Sequence, residues 1–115
     1  MKDLKVRTRE FALSVIRLYG GLPRDEVARV LGKQLLRAGT SVGAHYREGL
    51  RSRSDAEFIS KLEGGMQELE ETMYWCELLQ GCGAGESAAL QMITDEANQL
   101  MAILTTIVKN RKAHS

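Results

Sequence analysis

Residues 29–58, RVLGKQLLRAGTSVGAHYREGLRSRSDAEF, constrain this chain most, because a helix through most of them has almost no idle face. With Arg29 at zero and about 100° per residue, Val27, Leu31, Leu35, Ala38, Val42, His45 and Gly49 fall between about 160° and 240°, a core-facing stripe. Arg29, Lys33, Arg37, Arg47 and Arg51 lie nearly opposite, between about 0° and 80°. A third group, Gly32, Leu36, Gly39, Gly43, Tyr46 and Leu50, occupies about 260° to 340° and is small or apolar for most of its length. A surface helix of a monomer needs one buried face, and this one has two. The pattern therefore predicts packing inside its own bundle on one flank and against another subunit on the other. Three glycines on that second flank each cost about 1 kcal/mol relative to alanine in a helix, so a close backbone approach is the expected compensation.

The rest of the chain divides into three more helical patterns. Leu4, Thr8, Phe11, Val15 and Leu18 recur at steps of four and three, giving a helix over about residues 4–19 that Gly20 and Gly21 close in a left-handed cap. Pro23 then stands where a helix can begin, and the second helix is expected over about 24–50. Ser54 and Glu57 form a capping-box pattern that opens a third helix over about 55–80, with a seam of Phe58, Leu62, Gly65, Leu69, Thr72, Cys76 and Leu79. After a turn carrying Gly81, Gly83 and Gly85, a fourth helix over about 87–111 carries Leu90, Ile93, Ala97, Leu100, Leu104 and Ile107, and residues 113–115 are read as a frayed end. Four helices with short connections and heptad-like seams describe a single all-α domain, an antiparallel up-down-up-down four-helix bundle. At 115 residues it is long enough to bury a core without a metal or disulfide. The two cysteines, Cys76 and Cys82, with no signal peptide or long apolar run, read as reduced thiols of a cytosolic protein. Cys76 reads as core filler rather than a nucleophile.

A net charge of +1 conceals strong segregation. Residues 1–53 carry twelve Lys/Arg and five Asp/Glu, whereas residues 54–115 carry four and ten. Two surfaces of opposite sign follow, suited to an anionic partner or to complementary subunit contacts. Arg29 and Arg47 are eighteen residues apart, as are Lys33 and Arg51, which is about five full turns, so each pair points the same way. With Arg37 they make a straight cationic stripe able to track the phosphates of RNA or DNA. The competing reading is a solvated helix face, or ion pairs with the acidic third helix through Glu63, Glu68, Glu70 and Glu71.

Leu22–Pro23 with Glu26, then Gln34, Arg37 and Ala38, the run Ser41–Val42 through Glu48–Gly49, Ser54, Phe58, Leu62, Glu71–Thr72, Tyr74–Trp75 and Leu78–Leu79 together resemble a known family. It is the four-helix-bundle family encoded in intervening sequences of bacterial 23S ribosomal RNA genes, which includes the accessory variability proteins of diversity-generating retroelements. The resemblance covers residues 22–79, and the first and fourth helices match in pattern only. It implies a ring-shaped homopentamer without established enzymatic activity. In the retroelement branch it implies a basic ring that binds nucleic acid and a reverse transcriptase. Where the family usually has asparagine this chain has His45, read as a satisfied core histidine in preference to a pH-sensitive interface contact.

Two other function classes compete. A di-metal enzyme in a bundle needs inward Glu residues and Glu-x-x-His pairs on two helices, but neither His45 nor His114 follows a glutamate by three. No catalytic residue, metal ligand or cofactor is therefore expected, and no membrane segment. A protein-binding scaffold, with the cationic stripe meeting an acidic protein surface, is the other alternative.

Overall fold

The computed structural model describes residues 3–114. Four helices follow one another as α1 (Leu4–Gly20), α2 (Glu26–Leu50), α3 (Asp55–Gly81) and α4 (Ser87–Ala113). Each packs on its neighbours in sequence and α4 returns to α1, with no diagonal contact, so the chain is an antiparallel four-helix bundle, 48 × 23 × 21 Å. Orphan N–H groups at three helix starts are met by side chains: Asp3 accepts from Lys5 N, Asp25 from Ala28 N and Ser54 from Glu57 N. Because Asp25 caps rather than joins it, α2 begins at Glu26 and not at Arg24. α1 closes without a left-handed residue, since Gly20 is helical and Gly21 has φ −95°; among the described residues positive φ is confined to Gly83 and Gly85 in the α3–α4 turn. α4 runs on to Ala113 with His114 as its cap, so the fraying expected from 113 is not found at 113 or 114; Ser115 lies outside the described residues.

The core runs the length of the bundle through Phe11, Val15, Leu35, Val42, Leu62, Leu69, Cys76, Leu79, Leu90, Leu100 and Leu104. At about 25 cal/mol per Å² of apolar surface, burying each large aliphatic side chain stabilises the fold by about 1.5–3 kcal/mol. Two seam positions differ from the pattern. In the first turn of α2 Val27 is 58% exposed and Ala28 is buried in its place, because the inward direction there lies nearer α1 than the ideal wheel assumes. At the end of α4 Val108 is buried and Ile107 only partly so.

The small flank of α2 is covered by α1 of the same chain, which corrects the expectation that it meets another subunit. A Cβ built on Gly32 would lie 2.6 Å from Leu22 Cδ1 and 3.0 Å from Tyr19 Cδ1; one on Gly39 would lie 2.7 Å from Val15 Cγ2; one on Gly43 would lie 3.0 Å from Thr8 Oγ1. The glycines thus serve the close approach that their helix cost called for, but the neighbour is intramolecular. The error is geometric: a helix in a four-helix bundle touches two neighbours of its own chain, so a wide apolar arc needs no second subunit. Leu36 and Tyr46 are half-buried beside the same contact, and Leu50, at the end of the row, stays 48% exposed.

Gly39→Ala is expected to lower unfolding free energy by about 1–2 kcal/mol, overpacking against Val15 outweighing the gain in helix propensity. Gly20→Ala, whose Cβ would meet nothing within 4 Å, is expected to be neutral or stabilising by less than about 1 kcal/mol. Urea unfolding of the two variants measures both.

Candidate nucleic-acid interface

The five cations of the stripe differ in what they meet. Arg29, Lys33, Arg47 and Arg51 are exposed, and none makes an ion pair among the described residues. Arg47 Nη2 approaches the Lys5 carbonyl oxygen at 3.4 Å, which ties this end of α2 to the start of α1. Arg37 is different. Its guanidinium turns to α3, where Nη1 lies 3.2 Å from Glu68 Oε2 and Nη2 donates to Glu71. Partial burial opposes the charge on Arg37, but Glu68 and Glu71 outweigh it and hold the guanidinium above its ordinary value. The stripe is therefore broken in its middle, leaving two pairs, Arg29 with Lys33 and Arg47 with Arg51, about 27 Å apart along the helix.

The acidity of α3 is drawn inward in the same way. Glu68 is buried and answered by Arg37, Glu63 accepts from Lys112 at 3.2 Å, and Asp55 accepts from Arg111 at 3.1 Å. Arg111 also stacks over Phe58, its guanidinium carbon 3.9 Å from the ring centre. Of the four glutamates proposed as partners of the stripe, Glu68 and Glu71 engage one of its cations and Glu63 engages α4 instead.

His45 sits at the α2–α3 crossing, where Gly64 leaves room for it: a Cβ at Gly64 would come within 2.9 Å of Nδ1. The side chain is one-third exposed, yet Nδ1 is buried with no hydrogen-bond partner, Glu48 Oε1 standing 3.8 Å away. The reading of a satisfied core histidine is thus corrected on both counts. The Gly64–Gly65 pair was the sequence signal for this seat. Tyr46 is held by burial, with a contribution from Asp3, so its hydroxyl is pushed above its ordinary value.

A feature absent from the pattern reading is a groove of about 660 Å³ between α1 and α4. At its lower end Arg7 bridges the two helices, donating to Glu96 at 2.8 Å and to Gln99 at 2.6 Å. The hydrogen bond to Glu96 raises the Arg7 guanidinium above its ordinary value against partial burial. Phe11, Leu18 and Ile93 form the floor and Met92, 72% exposed, stands at the lip. No periodicity in one helix announces it, because it arises from the spacing of two.

Among the described residues no three His, Cys, Asp or Glu side chains converge as a metal site requires, and no helix is long and apolar enough to cross a membrane. Cys76 is fully buried, and burial pushes its thiol up from 9.0 to about 11 despite a hydrogen bond with Thr94. The folded chain holds this proton more tightly than the unfolded chain does. This contribution to stability is therefore fully present below about pH 9, and about 2–3 kcal/mol is expected to be lost as pH rises through 11, Tyr46 adding in the same direction. Urea midpoints across that range, with Cys76→Ala flattening the loss, test this. A thiol reagent is expected to label exposed Cys82 at once and Cys76 only on unfolding.

The chain matches the family model described as 23S rRNA-intervening sequence protein over residues 2–106. Among solved structures it is similar to a protein of unknown function from the S23 ribosomal protein family of Bacteroides thetaiotaomicron. The two are 34% identical, with 93% of this chain and 99% of that one covered, at a TM-score of 0.83. No curated protein sequence matches the chain.

Proposed function

Because the chain belongs to the 23S rRNA-intervening sequence protein family, we propose that it is a non-catalytic bundle that assembles into a homopentameric ring and binds RNA or DNA along the exposed cations of α2. The observation that carries this reading is that Arg29, Lys33, Arg47 and Arg51 share one face while making no ion pair with the acidic half of the chain. A long cation with a carboxylate within reach pairs with it, as Arg37 does. The remaining four are free to displace counterions from phosphates. Their span from Arg29 to Arg51, about 33 Å, matches about ten phosphates of one strand. A ring repeats that stripe around its axis, and several weak phosphate contacts then act together.

Catalysis has no comparable support. The buried thiol is held protonated, His45 Nδ1 is shut from solvent, and the groove beside α1 lacks a histidine or cysteine. A scaffold without any nucleic-acid role is the second reading, and the capture of Arg37 by Glu68 and Glu71 favours it, since the same chemistry serves an acidic protein surface.

Fluorescence anisotropy with a labelled 30-nucleotide RNA distinguishes them. Affinity is expected to fall steeply between about 50 and 200 mM salt, and Arg47→Glu with Arg51→Glu to weaken binding and reduce the log–log slope by about 1–2. Arg37→Glu is expected to leave that slope unchanged while lowering stability by about 1–3 kcal/mol, because buried Glu68 loses its partner. Absence of binding at the lowest salt leaves the scaffold.

A further inference from the structure

α1 brings cations of its own to the face that carries the α2 stripe. Thr8, Val15 and Tyr19 of α1 lie against Gly43, Gly39 and Gly32 of α2. On α2, Arg47 and Arg51 stand about 60° and 100° past the middle of that glycine row, away from the core. On α1, Lys5 and Arg9 stand about 60° and 100° past the middle of the row that meets the glycines, again away from the core. The two pairs therefore share the outer face of the α1/α2 helix pair. All four side chains are exposed, and none makes an ion pair among the described residues.

The antiparallel register brings these pairs to one end of the bundle. Thr8 sits at Gly43, so one turn back along α1 and one turn on along α2 meet at Lys5 and Arg47. The approach of Arg47 Nη2 to the Lys5 carbonyl oxygen, at 3.4 Å, marks that crossing. Arg9 lies one turn from it along α1, and Arg51 lies one turn from it in the opposite direction along α2. They are thus about 12 Å apart along the bundle and about 8–10 Å across it, which places four cations within about 15 Å.

Carboxylates are scarce at this end. Asp3 is the α1 N-cap, its side chain accepting from Lys5 N at 3.1 Å, and Glu48 faces α3, with Oε1 3.6 Å from Lys61 Nζ. Glu10 lies on the other flank of α1, in the wall of the α1/α4 groove. The far end of the stripe is different, because Arg29 and Lys33 share it with Asp25 and Glu26 at the start of α2. Glu26 is one helical turn from Arg29 and weakens its field. Density of positive charge is therefore greatest where α1 and α2 contribute together.

We propose that Lys5 and Arg9 complete, with Arg47 and Arg51, a four-cation site that anchors the phosphate backbone of an RNA or DNA strand, Arg29 and Lys33 giving it secondary support. This builds on the nucleic-acid part of the function proposed above and assigns α1 a share in it. The strand crosses obliquely from α2 to α1 at this end, over about four phosphates, instead of following α2 alone.

Salt-titrated anisotropy with a labelled 30-nucleotide RNA tests the site, with helicity followed by circular dichroism. Lys5→Glu with Arg9→Glu is expected to weaken binding by about tenfold or more and to reduce the log–log salt slope by about 1–2, as Arg47→Glu with Arg51→Glu does. The fold tolerates the change, since Lys5→Glu puts a carboxylate in the first turn of α1 and Arg9 is exposed. Should the glutamates disturb folding, Lys5→Gln with Arg9→Gln is expected to give the same loss of slope. Arg17→Glu with Lys109→Glu makes an equal change of charge off this face and is expected to move the slope by less than about 0.5. Arg29→Glu with Lys33→Glu is expected to cost less affinity than Lys5→Glu with Arg9→Glu. An unchanged slope in the Lys5 and Arg9 variants, or a loss no larger than the Arg17 and Lys109 control shows, overturns the α1 half of the site while leaving the α2 reading in place. A larger loss from the Arg29 and Lys33 pair overturns the position of the anchor. Absence of binding by the unaltered chain at the lowest salt overturns both the site and the nucleic-acid reading beneath it.

Discussion

The seating of α1 on the glycine row of α2 is the contact from which the rest of the arrangement follows. Val15 and Thr8 occupy the space that side chains at positions 39 and 43 would fill, and Tyr19 with Leu22 does the same at position 32. Interiors are close-packed, so a contact this tight has little freedom to slide or rotate. It fixes which arc of α2 faces solvent, and hence where the cations point. It also draws α1 toward α2, and its meeting with α4 is correspondingly sparse, held at one end by Arg7, Glu96 and Gln99. The groove is the other side of that preference.

Charge is divided along the chain and then partly cancelled in space. α3 lies between α2 and α4, and both lend it cations: Arg37 from one side, Arg111 and Lys112 from the other. Exposed pairs of this kind contribute about 0–1 kcal/mol each, so their effect on stability is small. Their effect on the surface is larger. They remove acidic side chains from competition and leave the outward cations of α2 to whatever anion approaches. Glu68 differs from the others because it is buried, and its need for Arg37 is structural before it is electrostatic.

Much of the helical plan was legible because it rests on local rules. Glycine and proline punctuation, the Ser54 cap and the three-and-four spacing of the seams are properties of neighbouring residues, and the observed helices differ from them by only one or two residues at most ends. Exceptions came where an end met another element: Val27 and Ile107 satisfy the wheel, but the core has already turned away from them. His45 shows the same limit. Its inward angle was readable, whereas the missing partner of Nδ1 depends on what α3 places opposite.

The sequence by itself determined four amphipathic helices, a cationic α2 and an acidic α3, because periodicity and charge are fixed by covalent order. It also determined that the glycines of α2 must admit a close neighbour, since their cost within a helix needs an answer. Only the tertiary structure decided that this neighbour is α1, that Arg37 leaves the stripe for Glu68 and Glu71, and that α1 and α4 stand apart over an apolar floor. Those outcomes depend on which helix lies beside which and at what distance, and a one-dimensional pattern assigns each helix its faces without assigning them partners.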